Sequence, residues 1–215
     1  MSDTTPAISI RGVTKRFGDV TAVSDVSIDI REGEFLTLLG PSGCGKTTTM
    51  RMVAGFEDPD IGNILLRGDD VVGVPPNKRH VNMCFQNYAL FPHMDVQQNI
   101  EYGLKLKKVP KDERARKVEE MLTIVRLEGY EHRKPGQLSG GQQQRVAVAR
   151  ALVTKPTVLL ADEPTGNLDS AHGEDVMDLL QKINEEGTTI VMVTHSPAHA
   201  ARAKRTVGLL DGTIV

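Results

Sequence analysis

Apolar and polar positions alternate from the start of the chain. "ISIRGVTKRF" (8–17) and "TAVSDVSIDI" (21–30) have the period of two that marks half-buried strands, here predicted to pair antiparallel. Beyond the turn "REGE", the unbroken apolar run "FLTLL" (35–39) suits a parallel strand buried on both faces. A helix is predicted around 46–54, then strands in "GNILLRGDDV" and "RHVNMCF". From Asp95 to Arg126 the pattern becomes helical, with Pro110 suited to a first helical position and Val118, Met121, Leu122 and Val125 on one apolar stripe. The last third alternates a helix over about 142–153, "TVLLA", a helix near 173–186, "TIVMVT" and a short helix from Pro197, and Asp211-Gly212 predicts a closing hairpin. This order predicts an α/β chain with a mainly parallel sheet and an N-terminal antiparallel β-subdomain. Residues of about 95–153 form an inserted α-helical subdomain, and about 1–94 and 154–215 form the β-subdomain and core.

With 215 residues, 39% of them hydrophobic and 25% charged, the chain has the composition of a soluble globular protein and the length for one such domain. A formal net charge of −2 gives no electrostatic basis for direct nucleic-acid binding, and 4% aromatics without Trp argue against a base-stacking surface. No apolar run approaches the roughly 20 residues that span a bilayer. The opening "MSDTTPAISI" lacks the basic and apolar regions of a signal peptide, so a cytoplasmic protein without a transmembrane segment is expected. Cys44 and Cys84 have neither disulfide nor metal-ligand spacing. The basic residues between Lys105 and Lys117, interrupted by Asp112 and Glu113, read as a solvated helix face.

Candidate chemistry enters with "GPSGCGKTT" (40–48), a match to G-x-x-x-x-G-K-[ST] lying between an apolar strand and a helix. It makes the α/β core a P-loop NTPase core. Gly40, Pro41, Ser42, Gly43, Cys44, Gly45, Lys46, Thr47 and Thr48 form the loop and the start of the helix, where backbone N–H groups can curl round phosphates. Lys46 can reach β- and γ-phosphates, and the Thr47 hydroxyl is placed to ligate Mg²⁺. A second buried strand ends in "ADEP", where successive side chains point opposite ways. That suits Asp162 as a metal ligand and Glu163 as the group that polarises the attacking water. Gln86 and His195 follow two further apolar runs, so four strand ends would deliver Lys46/Thr47, Gln86, Asp162/Glu163 and His195 to one rim. His195 and His199 have an i, i+4 spacing. Ser196-Pro197 reads as the cap and first residue of the next helix, which leaves His195 outside it and argues against zinc.

Ser139-Gly140-Gly141-Gln142 fits the S-x-x-Q capping box. Capping alone does not account for two adjacent glycines, each costing up to about 1 kcal/mol inside a helix. An anion at the helix start would offset that cost.

Together these motifs resemble those of ABC-transporter ATPase subunits over essentially the whole chain: "GPSGCGKTT" is similar to Walker A, Gln86 to the Q-loop, "LSGGQ" (138–142) to the signature, "VLLADE" (158–163) to Walker B, "NLD" (167–169) to the D-loop and His195 to the switch histidine. The first two thirds resemble polyamine, iron and sugar importer ATPases. The last third resembles lipoprotein-release and macrolide-exporter ATPases, the pattern of a recombined, designed or reconstructed chain. The regulatory β-domain usual in such importers is not expected after Val215.

The resemblance implies ATP and Mg²⁺ as ligands, with Thr47, Gln86 and Asp162 at the metal and Glu163, His195, Lys46 and Gln86 as catalytic groups. Phe17 would lie against adenine. Ser139, Gly140, Gly141 and Gln142, with Asp169, would meet nucleotide across a head-to-tail homodimer, or a pairing with another ABC subunit, formed on ATP binding. A separate membrane-spanning subunit would be the transport partner, placing the protein at the inner face of the membrane when assembled, and the segment 87–100 is a candidate docking surface. A soluble ABC ATPase of iron–sulfur assembly type, and an ATP-binding chain with impaired hydrolysis, are the alternatives.

Overall fold

The structure is a computed structural model that describes residues 5–215. In chain order its strands are β1 (Ile8–Phe17), β2 (Val20–Ile30), β3 (Phe35–Leu39), β4 (Ile61–Leu66), β5 (Asp69–Asp70), β6 (Val81–Cys84), β7 (Val158–Asp162), β8 (Thr189–Thr194), β9 (Arg205–Leu210) and β10 (Thr213–Ile214). Its α-helices are α1 (Lys46–Ala54), α2 (Val96–Leu106), α3 (Lys111–Ile124), α4 (Gly140–Leu152), α5 (Ser170–Glu185) and α6 (Pro197–Ala200). They fall into two compact units. The first comprises the described residues up to Met83, Thr157–Glu163 and Leu180–Val215, and the second Cys84–Pro156 and Pro164–Leu179.

In the first unit, β1 and β2 pair antiparallel, and β4 adds to the other side of β1 in a four-stranded sheet of order β2-β1-β4-β5. "GNILLRGDDV", expected as one strand, is two. Arg67 (φ 51°) and Gly68 (φ 92°) turn the chain back, so that Leu65 pairs with Asp70. Two successive left-handed residues match the right-handed twist of a tight hairpin. The second sheet has the order β10-β9-β3-β8-β7-β6, with β3, β7, β8 and β9 parallel. Every residue of β7 and β8 is buried, as expected of unbroken apolar runs between covered faces. Asp211 (φ 46°) and Gly212 (φ 79°) make the expected hairpin between β9 and β10.

Residues of β1, β2, β3, β7 and β8 share one buried cluster with Met50, Met52 and Val53 of α1. Each such side chain contributes about 1.5–3 kcal/mol by leaving water. The far end of α1 is held by Arg79, whose Nη1 donates to Met52 O at 2.7 Å and Val53 O at 2.9 Å. Gly55, left-handed at φ 85°, must be a glycine twice over, because an added Cβ would lie 2.6 Å from Arg79 Nε.

In the second unit α2, α3 and α4 pack pairwise, burying Ile100, Leu104, Val118, Leu122, Val125 and Val146. Asp95 and Gln98 form a reciprocal capping box on α2. Three helix starts differ slightly from expectation. Pro110 has extended backbone (ψ 148°) and precedes α3 as its cap, so Lys111 is the first helical residue. Ser139 caps α4, drawing both glycines into the first turn. Asp169 Oδ1 accepts from His172 N at 3.0 Å, which starts α5 at Ser170 rather than near 173.

Candidate functional site

The loop after β3 closes on itself through three constraints. Gly43 and Gly45 have φ of 81° and 96°, and a Cβ on Gly45 would meet Ala22 O at 2.3 Å. Gly40 has no room for one either, with Leu209 O at 2.1 Å and Cys44 Sγ at 2.7 Å from the ideal position. Each glycine is therefore fixed by geometry, two by backbone handedness and one by packing. No side chain caps α1 at Gly45 and its first turn carries no acid, so its free N–H groups keep their positive partial charge for an anion. Lys46 is buried and its Nζ donates to Gly40 O and Pro41 O, each at 2.8 Å. Phosphate oxygens can replace those carbonyls. Pro41, Ser42, Gly43 and Thr47 are exposed, Thr48 is half-buried and Cys44 is buried.

β3, β8 and β7 lie side by side, so their carboxyl ends present one row of side chains. Thr47 Oγ1 donates to Asp162 Oδ1 at 3.0 Å. Burial holds the Asp162 carboxyl above its ordinary pKa; the Thr47 hydrogen bond opposes this and the neighbouring Glu163 charge adds to it. One strand position on, Glu163 adopts a left-handed φ of 45° and its N–H bonds to Val193 O at 3.0 Å. A bulky residue held in that region stores strain, which clusters at working sites. The turn sends the Glu163 carboxylate to His195, whose Nδ1 lies 3.0 Å from Oε1 and 3.1 Å from Oε2. Asp162 and Glu163 thus diverge, one to Thr47 and one to His195. His195 lies outside α6, which Ser196 caps by accepting from His199 N. Phe17, at the end of β1, is 48% exposed with Lys15 Nζ 5.3 Å from its ring centre, leaving a ring face for a planar ligand.

Among the described residues no group of three or more His, Cys, Asp or Glu side chains is gathered for a metal ion. One buried carboxylate and one hydroxyl instead fit Mg²⁺, which keeps several waters and shares its other positions with phosphates.

Gln86 belongs to the second unit, where its side chain is exposed and its carbonyl accepts from Asn167 Nδ2 at 2.8 Å. The other three strand ends expected at one rim, carrying Lys46/Thr47, Asp162/Glu163 and His195, lie in the first unit. The signature residues also lie in the second unit. Ser139 N donates to Gln142 Oε1 at 3.0 Å and Gln142 N to Ser139 Oγ at 3.3 Å, the expected capping box. The glycines have a packing reason that capping could not supply. An ideal Cβ on Gly140 would lie 3.0 Å from the Tyr88 hydroxyl oxygen, and one on Gly141 2.9 Å from His172 Cδ2. His172 Nδ1 lies 2.8 Å from Asp169 Oδ2, and hydrogen bonds from the His172 backbone and ring hold Asp169 below its ordinary pKa. Sequence reasoning did not single out His172, Tyr88 or Arg150. Only the spacing of His172 three residues after Asp169, at a helix start, carried a signal.

Comparison with known proteins agrees with this geometry. The ABC transporter family model matches residues 23–166. The spermidine/putrescine import ATP-binding protein PotA of Rubrobacter xylanophilus is 52% identical over 206 residues, 95% of this chain and 55% of that protein. PotA of Nitratidesulfovibrio vulgaris is 50% identical over 216 residues, 100% of this chain and 59% of that protein, so the match to an import ATP-binding protein runs through the last third as well. The chain spans somewhat more than half the length of these relatives. Among solved structures, the ATP-binding cassette MJ0796, as a dimer in a post-hydrolysis state bound to ADP and Pi, superposes with a TM-score of 0.86 at 35% identity over 96% of each chain. With phosphate loop, divergent acidic pair, signature and matches in agreement, the chain belongs to the ABC transporter family.

Proposed function

We propose that this chain is an ATP-hydrolysing subunit that works as a head-to-tail homodimer and powers transport by a separate membrane-spanning component. The carrying observation is the pair of contacts Thr47–Asp162 and Glu163–His195 at adjacent parallel strand ends beside the Lys46 loop. Lys46 and the free N–H groups of α1 grip the phosphates, and Phe17 covers the base. Glu163 takes a proton from the water that attacks the γ-phosphorus as the bond to the bridging oxygen breaks, and His195 holds the Glu163 carboxylate in aim. Thr47 and Asp162 would hold Mg²⁺, which neutralises charge on the β- and γ-phosphates when bound.

Ser139, Gly140, Gly141, Gln142 and Asp169 serve the second copy's nucleotide, which gives a purpose to a helix start that a capping box already satisfies. The dimeric state of the related cassette supports this arrangement. The relatives named as import ATP-binding proteins favour import, with the polyamine class as the first substrates to test. Among the described residues no helix is long and apolar enough to cross a membrane. A cytoplasmic subunit docked at the inner face is the location that goes with this reading. One ABC ATPase domain over 1–215, with the helical subdomain at about 95–153, is the organisation proposed.

Glu163→Gln tests the reading. ATP binding by equilibrium titration should persist, while steady-state phosphate release falls at least about a hundredfold, the scale of a lost general base. Near-normal release would remove Glu163 from the role. Co-purification with a soluble scaffold rather than a membrane protein would favour the iron–sulfur alternative.

A further inference from the structure

Within the second unit, the segment that follows β6 turns through two consecutive left-handed residues that carry a Cβ, Tyr88 (φ 61°) and Ala89 (φ 47°). That backbone is unfavourable for both and persists only where its surroundings impose it. One side chain of α4 does so. Arg150 Nη1 donates to Ala89 O at 2.7 Å and Nη2 to Tyr88 O at 3.1 Å, so both prongs of one planar guanidinium grip the two strained peptides. Its carbon also lies 5.5 Å from the centre of the Phe91 ring. On the other side of the turn, Asn167 Nδ2 donates to Gln86 O at 2.8 Å and the Tyr88 hydroxyl donates to Asn167 O at 3.4 Å. That hydroxyl oxygen fills the space a Cβ on Gly140 would need. The next stretch is fixed as well, since the buried Asn99 accepts from Phe91 N at 2.9 Å and donates to Phe91 O and Met94 O, each at 3.2 Å.

We infer that Arg150 is a positioning residue: it clamps the strained Tyr88–Ala89 turn so that Gln86, Gly140 and the Asn167–Asp169 loop move as one body. The inference deepens the proposed function, on which it rests. A displacement of Gln86 is then passed to the groups offered to the second copy, with no contribution from Arg150 to nucleotide binding in its own chain. Lysine at this position keeps the charge but lacks the fork, so it can hold one carbonyl and not two. Glycine at Ala89 removes the steric reason for the strain, so the turn no longer needs the clamp.

The test uses the 215-residue Glu163→Gln chain as parent, with ATP-dependent dimerisation followed by sedimentation velocity across protein concentration. Nucleotide affinity of the monomer is titrated in parallel with a fluorescent ATP analogue. Arg150→Lys should shift the dimerisation midpoint about tenfold upward in concentration and leave monomer affinity within about twofold. Adding Ala89→Gly to Arg150→Lys should recover at least half of that shift. Tyr88→Phe, which removes a single oxygen, gives an independent arm and should shift the midpoint about threefold in the same direction. Parent-like midpoints for both Arg150→Lys and Tyr88→Phe would overturn the inference. So would a loss of monomer affinity equal to the dimerisation shift, or no recovery with Ala89→Gly, since a purely packing role for Arg150 would not respond to that glycine. A parent that fails to dimerise with ATP would instead count against the composite-site reading itself.

Discussion

The space beside Gly141 separates packing from chemistry in the signature. An ideal Cβ there meets His172 Cδ2 at 2.9 Å, Cβ at 3.1 Å and Cγ at 3.2 Å, tighter than real Cβ contacts normally are. Alanine gains up to about 1 kcal/mol of helix propensity over glycine, against an overpacking cost of about 1–3 kcal/mol in a well-packed setting. The neighbour can give way, because the His172 side chain is 46% exposed. Swinging out loses its contact with Asp169, an exposed pairing that water screens and that adds little to stability. Gly141→Ala should therefore destabilise by about 1 kcal/mol, a fall in Tm of roughly 2–4 °C for a chain of this length.

In a His172→Ala background the obstruction is gone. The same substitution should there be neutral or stabilising, a coupling of about 1–2 kcal/mol in a double-mutant cycle read by calorimetry. Phosphate release completes the cycle. If Gly141 serves the second copy's nucleotide, the double variant regains stability but not turnover. Equal changes in Tm in the two backgrounds would show that the clash is absent, and recovery of turnover in the double variant would show that the glycine is needed for packing alone.

Three further outcomes follow from the first unit. Lys46→Ala should weaken ATP binding at least about tenfold by equilibrium titration, because it removes a charge-assisted contact from a buried site. Arg79→Ala should cost about 3 kcal/mol or more, since Met52 O and Val53 O lose a charged donor, with Tm falling by roughly 6–12 °C. Asp162→Asn should raise the Tm of the nucleotide-free chain near neutral pH. The folded carboxyl binds its proton more tightly than the unfolded one, so its contribution is full below the ordinary carboxylate range and is lost as pH rises through the raised folded value. The advantage of asparagine should therefore shrink as pH falls towards 4, and a constant difference across that range would refute the assignment of burial as the dominant cause.

The parallel core was legible because buried parallel strands leave unbroken apolar runs, and β3, β7 and β8 fall on "FLTLL", "TVLLA" and "TIVMVT". The phosphate loop was legible because its glycines are demanded locally, by φ at Gly43 and Gly45. The β4–β5 hairpin was missed because its turn is Arg67-Gly68, where an arginine takes the left-handed place more often held by Asn or Asp. Arg79 read as the start of a strand, and nothing local announced that its guanidinium caps α1 from 27 residues away. Arg150 was hidden for the same reason, since its partners lie 61 and 62 residues back along the chain and are backbone carbonyls, which any sequence supplies. Helix propensity alone assigns the signature glycines to an anion. Their close neighbours Tyr88 and His172 show that a glycine can be required by a side chain from elsewhere in the sequence.

In the proposed assembly each nucleotide is held by the Walker A loop of one chain and the signature of its partner. Complementation between two disabled variants reads out this arrangement. Lys46→Ala disables the loop and Ser139→Arg disables the signature, so each variant alone should release almost no phosphate. In an equimolar mixture, half the dimers are mixed and each mixed dimer has one intact composite site, which predicts recovery to about a quarter of the unmodified rate if pairing is random. A mixture as inactive as its components, under conditions where mixed dimers are shown to form, would contradict the head-to-tail arrangement.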